Sequence, residues 1–471
     1  MEVNEESIRS LVEQVVAGLK KSGAREDMFR FSGLFSDMDA AVWAARKAQK
    51  DLVGGTLLMR RKAVENIRRI VLDNLETLSK MAVEETGFGR VEDKIAKNRL
   101  AAEMTPGVED LSPESYSDDH GLTLTERAPY GVIGAIAPST NPTETIINNG
   151  ISMIAGGNAV VFNSHPGARK VSAYMVGLLN DAVMKAGGPE NVFCTLTEPT
   201  IESATAMMSH PLVDLLVVTG GPGVVRAAMK SGKKVIAAGP GNPPVVVDET
   251  ADLEKAGRDI VMGAGFDNNI ICIDEKEILA VRSIADPLKE EMKKHGAFEV
   301  KGADIDRLTG MILTDPGRPG HEGAANRGFI GKNASVIAAK AGLSVPEDTR
   351  ILLVEVDKSH PLVWTEQLMP VIPLVRLENA DEAIDFALEC EHGFRHTASM
   401  HSLNIAKLSR MARVMNCSLF VKNGSNFNGM AAGGAGYTSF TIASPTGEGF
   451  TRARTFTRER RCSLIDYFRI V

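Results

Sequence analysis

Aromatic residues make up only 5 % of this 471-residue chain, which removes the stacking platforms that single-stranded nucleic acid requires. Positive charge is not in excess either. The formal net charge is -7, the wrong sign for a phosphate backbone or an anionic membrane surface. The five cysteines, Cys194, Cys272, Cys390, Cys417 and Cys462, form no C-x-x-C pair and no His/Cys cluster. Neither a disulfide frame nor a metal site is indicated, and a reducing cytosol is the expected home. No run approaches the ~18 uninterrupted apolar residues of a membrane span. The N-terminus carries glutamates where a signal peptide would carry lysines, so neither export nor a membrane span is expected. There is no internal repeat and no low-complexity tract.

Apolar residues are plentiful, at 44 %, and a chain of this length should divide into two or three compact units. In residues 1–21, Ile8, Leu11, Val12, Val15 and Leu19 fall on one stripe of an amphipathic helix. Acids lead it and Lys20 and Lys21 trail, as the helix dipole prefers. Residues 22–35 read as a linker, although Met28, Phe29 and Phe31 give it something to pack. From 36 the pattern is helical, with MRRKAVENIRRIVLDNLETLSKMAVEETG closed at Gly87. The stretch GLTLTERAP alternates like an exposed strand. After Gly131, GVIGAIAP, NAVVF, NVFCTL, LLVVTG, KKVIAAG and PVVVDE alternate with helices, the pattern of a parallel α/β sheet. A second α/β region follows 251, with KEILAV, RILLVEV, HTASMHS and SLFVKN as strands.

Two places invite chemistry. Cys272 in FDNNIICIDEKE lies where the helix DLEKAGRDIVMGAG gives way to a strand, and the amides of Asn268 and Asn269 flank it. At such a junction a thiol can face a cleft, with neighbouring amides stabilising thiolate and oxyanion; a buried small hydrophobe is the plainer reading. Asn141 follows the strand GVIGAIAP, at the end where parallel sheets open their crevices. Its amide could donate to an oxyanion, or Ser139, Asn141 and Pro142 could simply turn the chain and cap the next helix.

In order and spacing, PSTNP, VVTGGPG, AAGPGNPPVVVDE, FDNNIICIDEK and TEQLMP resemble the aldehyde dehydrogenase superfamily, and more narrowly the coenzyme A-acylating propionaldehyde and acetaldehyde dehydrogenases of bacterial microcompartments. The resemblance implies two parallel-sheet α/β domains: a Rossmann-like NAD-binding domain (36–118 and 131–250) and a catalytic domain (251–445). Strands in 119–130 and 446–471 would serve oligomerisation, into a dimer or tetramer. It implies Cys272 as nucleophile, with Asn141 and the Cys272 N–H as the oxyanion hole. Glu366 would hold the nicotinamide ribose. Thr219, Gly220, Gly221 and Gly223 would form the turn under the cofactor, Pro138, Ser139 and Thr140 its neighbours, and Asn163 and His165 the segment at the adenosine ribose.

In hydrolytic members a glutamate activates water at the position that falls here on Ala237. An alanine cannot take that proton, so the thioester should wait for a thiol, coenzyme A. Asn163 stands where many relatives carry a ribose-binding lysine, and NAD is expected over NADP. His165 and His396 are nominal bases, each more readily read as structural. The expected substrate is a short aliphatic aldehyde, propionaldehyde ahead of acetaldehyde, and residues 5–20 would dock to a microcompartment shell. A hydrolytic dehydrogenase and a catalytically silent docking protein are the rival readings.

Overall fold

The fold, a computed structural model describing residues 32–471, is built on two parallel sheets. The helix expected at 1–21 and most of the expected linker lie outside the described residues. The first sheet has six strands in the order Leu34–Phe35, Phe193–Leu196, Ala159–Ser164, Val132–Ala137, Leu215–Thr219, Val235–Ala238. Val132–Ala137 is buried throughout, as a strand covered by helices on both faces must be. Its residues alternate between two cores: Ile133, Ala135 and Ala137 face one, Val132 and Ile136 the other.

The second sheet has seven strands, in the order Ala297–Val300, Ile351–Glu355, Val371–Leu377, Glu277–Val281, Pro244–Val247, Thr397–His401, Leu419–Lys422. Pro244–Val247 pairs with Glu277–Val281 and Thr397–His401. The chain therefore changes sheet between Ala238 and Pro244, earlier than the boundary at 250 expected from the sequence. Leu34–Phe35, assigned above to the linker, is an edge strand of the first sheet. A third, antiparallel sheet joins Glu114–Asp118, Gly121–Pro129 and Thr457–Ile465.

Helix ends follow local chemistry. Asp37 caps Met38–Gly54 by accepting from the Ala40 N–H, and Thr56 caps Leu57–Asp73 through the Met59 N–H. The long helical run breaks at Asn74, and its second half, Leu75–Thr86, ends on Gly87 at φ +69°, a left-handed stop that suits glycine. Among the described residues no helix is long and apolar enough to cross a membrane.

Candidate active site

The strands of the first sheet deliver Pro138, His165, Thr219 and Ala238 to one cleft at their carboxyl ends, where open α/β sheets bind ligands. Loops of the second region close its other wall with Cys272, Glu366 and Phe440, and the cavity measures about 720 Å³. Phe88, Ile271, Met430 and Ile442 make much of the lining apolar, as small-molecule sites usually are.

Cys272 is half-buried in the loop between the turn Phe266–Asn269 and the strand Glu277–Val281. Asp267, Asn268 and Asn269 all have left-handed backbones, at φ +45°, +59° and +64°, conformations that Asp and Asn tolerate best among residues with side chains. The strain is held by hydrogen bonds. Asn268 donates to the Gly331 carbonyl and accepts from Arg90 Nε, each at 2.8 Å. Asn269 donates to the Ala264 and Glu275 carbonyls, and its Oδ1 accepts from Lys276 Nζ at 2.6 Å. Both amides are fully buried and turned away from the cleft. They shape the cysteine loop and offer nothing to thiolate or oxyanion, contrary to the expectation from their place in the sequence. Burial first, and then the Glu366 carboxylate, push the Cys272 thiol up to about 12, against the pull of Lys276.

Asn141 occupies the N-cap position of the helix Pro142–Ala155 yet makes no capping hydrogen bond. Its Oδ1 instead accepts from Lys97 Nζ at 2.5 Å, and the residue lines the cleft with Cys272. Asn141 and Pro142 thus begin the helix, as the turn reading expected, but without a side-chain cap. Glu366 accepts from the Gly241 N–H, and burial raises its carboxyl to about 7, with Lys276 opposing and Glu322 adding to the rise.

Pro138, Ser139, Thr140, Asn163, His165, Thr219, Gly220 and Gly221 all line the cleft. Gly223 does not; it lies inside the helix Pro222–Met229 with open space where a Cβ would stand. Both ends of the Asn163 amide are engaged, Oδ1 by Ser203 Oγ at 2.6 Å and Nδ2 by the Thr200 carbonyl at 3.3 Å. The Thr219 hydroxyl meets Thr441 Oγ1 at 2.8 Å. Ser164 lines the cleft, and its buried hydroxyl has no hydrogen-bond partner among the described residues.

Ala237 points into the core beneath the first sheet, and Ala238 is the alanine that lines the cleft. His165 lines the cleft and accepts from the Gly167 N–H. His396 is fully buried against Gly241, its Nδ1 2.9 Å from Thr397 Oγ1 and its Nε2 without a partner. Burial holds His396 down to about 4, so it is neutral at physiological pH. Among the described residues no group of His, Cys, Asp or Glu is arranged to hold a metal ion. The sequence reading did not find Lys97, Glu322 or Arg327; the last two line the cleft from a loop that carries no motif.

Residues 33–452 match the aldehyde dehydrogenase family. The chain belongs to that family. The acetylating acetaldehyde dehydrogenase EutE of Salmonella typhimurium is 48 % identical to this aldehyde dehydrogenase over 100 % of both chains. The Rhodopseudomonas palustris propionaldehyde dehydrogenase, solved with bound CoA and an acylated cysteine, is 50 % identical with a TM-score of 0.89, over 92 % of this chain and 98 % of that one. A propionaldehyde dehydrogenase from the fucose utilisation microcompartment of Clostridium phytofermentans is 45 % identical with a TM-score of 0.90, over 93 % and 100 %. In this aldehyde dehydrogenase the strand end at Ala238 brings no carboxylate into the cleft.

Proposed function

We propose that the chain is an NAD-dependent, coenzyme A-acylating aldehyde dehydrogenase acting on short aliphatic aldehydes, propionaldehyde in preference to acetaldehyde. The observation that carries this reading is Cys272 and the Asn141 amide on one cleft in which an alanine, Ala238, ends the strand Val235–Ala238. The two relatives of known structure act on propionaldehyde and EutE on acetaldehyde. One methylene separates these substrates by only ~1–3 kcal/mol in an apolar pocket, so both should react.

The Cys272 sulfur attacks the carbonyl carbon, the thiol proton passes to solvent, and the carbonyl π pair becomes an oxyanion. The Asn141 amide and the Cys272 N–H hold that oxygen; one such donor is worth ~2.7–4 kcal/mol. NAD, when bound, accepts the hydride that leaves the same carbon. Cys272 then carries a thioester. A coenzyme A thiolate attacks it, the bond to Cys272 breaks, and the sulfur regains its proton. The dinucleotide would lie over Thr219, Gly220 and Gly221, with Glu366 on its nicotinamide ribose. The free Ser164 hydroxyl and the open space at Gly221 fit a polar ligand pressed close to the backbone. With both ends of its amide engaged, Asn163 acts there by shape. The reading is tested by supplying aldehyde and NAD with and without coenzyme A: acyl-CoA and sustained NADH are expected only with the thiol, and free acid formed at equal rate without it contradicts the proposal.

We infer that residues 5–20 dock to a microcompartment shell and that the protein works in the cytoplasm inside such a compartment; the apolar stripe of Ile8, Leu11, Val12, Val15 and Leu19 and the similarity to a microcompartment propionaldehyde dehydrogenase support this reading. A reporter fused to residues 1–21 should co-purify with shells, and a reporter that stays soluble overturns the assignment.

A further inference from the structure

The helix Val91–Met104 buries two lysines, Lys94 and Lys97, both at 0 % exposure. A buried ammonium is tolerated only when paired, and both are. Lys97 Nζ lies 2.5 Å from Asp267 Oδ2 and 3.2 Å from Glu144 Oε1. Lys94 Nζ lies 3.1 Å from the same Asp267 oxygen and 3.2 Å from the Thr140 carbonyl. Two cations and two carboxylates thus form a neutral quartet, and its members come from the elements that carry the catalytic groups. Glu144 is in the first turn of the helix that Asn141 leads, and Asp267 is in the turn that precedes Cys272.

The third contact of Lys97 is Asn141 Oδ1, at 2.5 Å. An ammonium only donates, so the amide must turn its oxygen to Lys97 and its Nδ2 elsewhere. Nδ2 has a single long contact among the described residues, 3.4 Å to Thr140 Oγ1, and both residues line the cleft. Without Lys97 either end of the amide could face the substrate, and an oxygen presented to an oxyanion would repel it. We propose that Lys97 is a positioning residue of the oxyanion hole: it fixes the rotamer of the Asn141 amide and, through Asp267, locks that amide to the cysteine loop. This rests on Asn141 being the oxyanion donor.

A double-mutant cycle on the full-length enzyme tests it, read as the single-turnover rate of Cys272 acylation and, separately, as the KM for aldehyde. Asn141→Ala should slow acylation ~100-fold or more, the loss seen when one oxyanion donor is removed. Lys97→Met should slow it ~10-fold or more with little change in KM, and Lys97→Met added to Asn141→Ala should change the rate by less than about twofold, because residues acting as one unit are not additive. Lys97→Met leaves Glu144 buried without a cation and Asp267 with Lys94 alone, so Lys97→Met/Glu144→Gln, which restores the charge balance, is taken through the same cycle if the single variant does not fold. An intact rate in Asn141→Ala removes the oxyanion reading itself. If Asn141→Ala is slow but the Lys97 change is silent, or multiplies fully onto it, only the positioning role is overturned.

Discussion

At the scale of residues, the cleft holds acid–base groups displaced from their ordinary ranges by burial. The Cys272 thiol, pushed to about 12, is protonated in the unliganded enzyme at every physiological pH. Its alkylation by iodoacetamide should therefore climb ~tenfold per pH unit from 7 to 10, and a plateau below pH 9 contradicts that environment. Glu366, raised to about 7, passes from mostly protonated at pH 6 to mostly ionised at pH 8. A carboxylate accepts ribose hydroxyls better than a carboxylic acid does, so the KM for NAD should fall across this range in the wild type and stay flat in Glu366→Gln. That Cys272, Asn141 and Glu366 belong to one cleft was legible, because each sits in an ordered run of motifs. The errors were errors of direction. Asn268 and Asn269 flank the nucleophile in sequence but their left-handed backbones turn both amides inward, and strand parity puts Ala238, not Ala237, on the cleft. The two alanines should respond differently to a glutamate. Ala237→Glu buries an unpaired charge in the core, a cost of several kcal/mol visible as lost soluble enzyme. Ala238→Glu puts the carboxylate in the cleft and should raise coenzyme A-independent NADH formation in the folded protein.

Among the elements, apolar runs bounded by turns disclosed all six segments named as strands after Gly131, because strands buried on both faces have no polar face to confuse the pattern. Val371–Leu377 was missed because Pro373 lies inside it, a residue that argues against a central strand, yet it pairs on both sides. Ala297–Val300 was missed as a four-residue edge strand. The contact between the loop after Leu75–Thr86 and the cysteine turn could not be read locally at all. Gly89, at φ +76°, would place a Cβ 1.9 Å from Asp267 Oδ1. Gly89→Ala should cost ~1–3 kcal/mol for the left-handed backbone and slow acylation by displacing the turn before Cys272. Unchanged acylation in a folded Gly89→Ala enzyme would show that the turn does not set the position of the nucleophile.

For the whole molecule, the third sheet leaves Glu114–Asp118 and most of Thr457–Ile465 exposed as edges, and long exposed edges are covered in stable proteins. We propose that a second copy covers them. Ending the chain after Phe456 should leave a folded monomer by sedimentation; an unchanged oligomer would rule out this surface. The two large sheets meet at the cleft, and everything argued for the enzyme comes down to one covalent event there. Mixing enzyme with propionaldehyde and NAD, and no coenzyme A, should give a burst of one NADH per chain and a mass increase of one propionyl group on the peptide containing Cys272, discharged on adding coenzyme A. Continued NADH production without the thiol, or an adduct-free Cys272, would contradict the account.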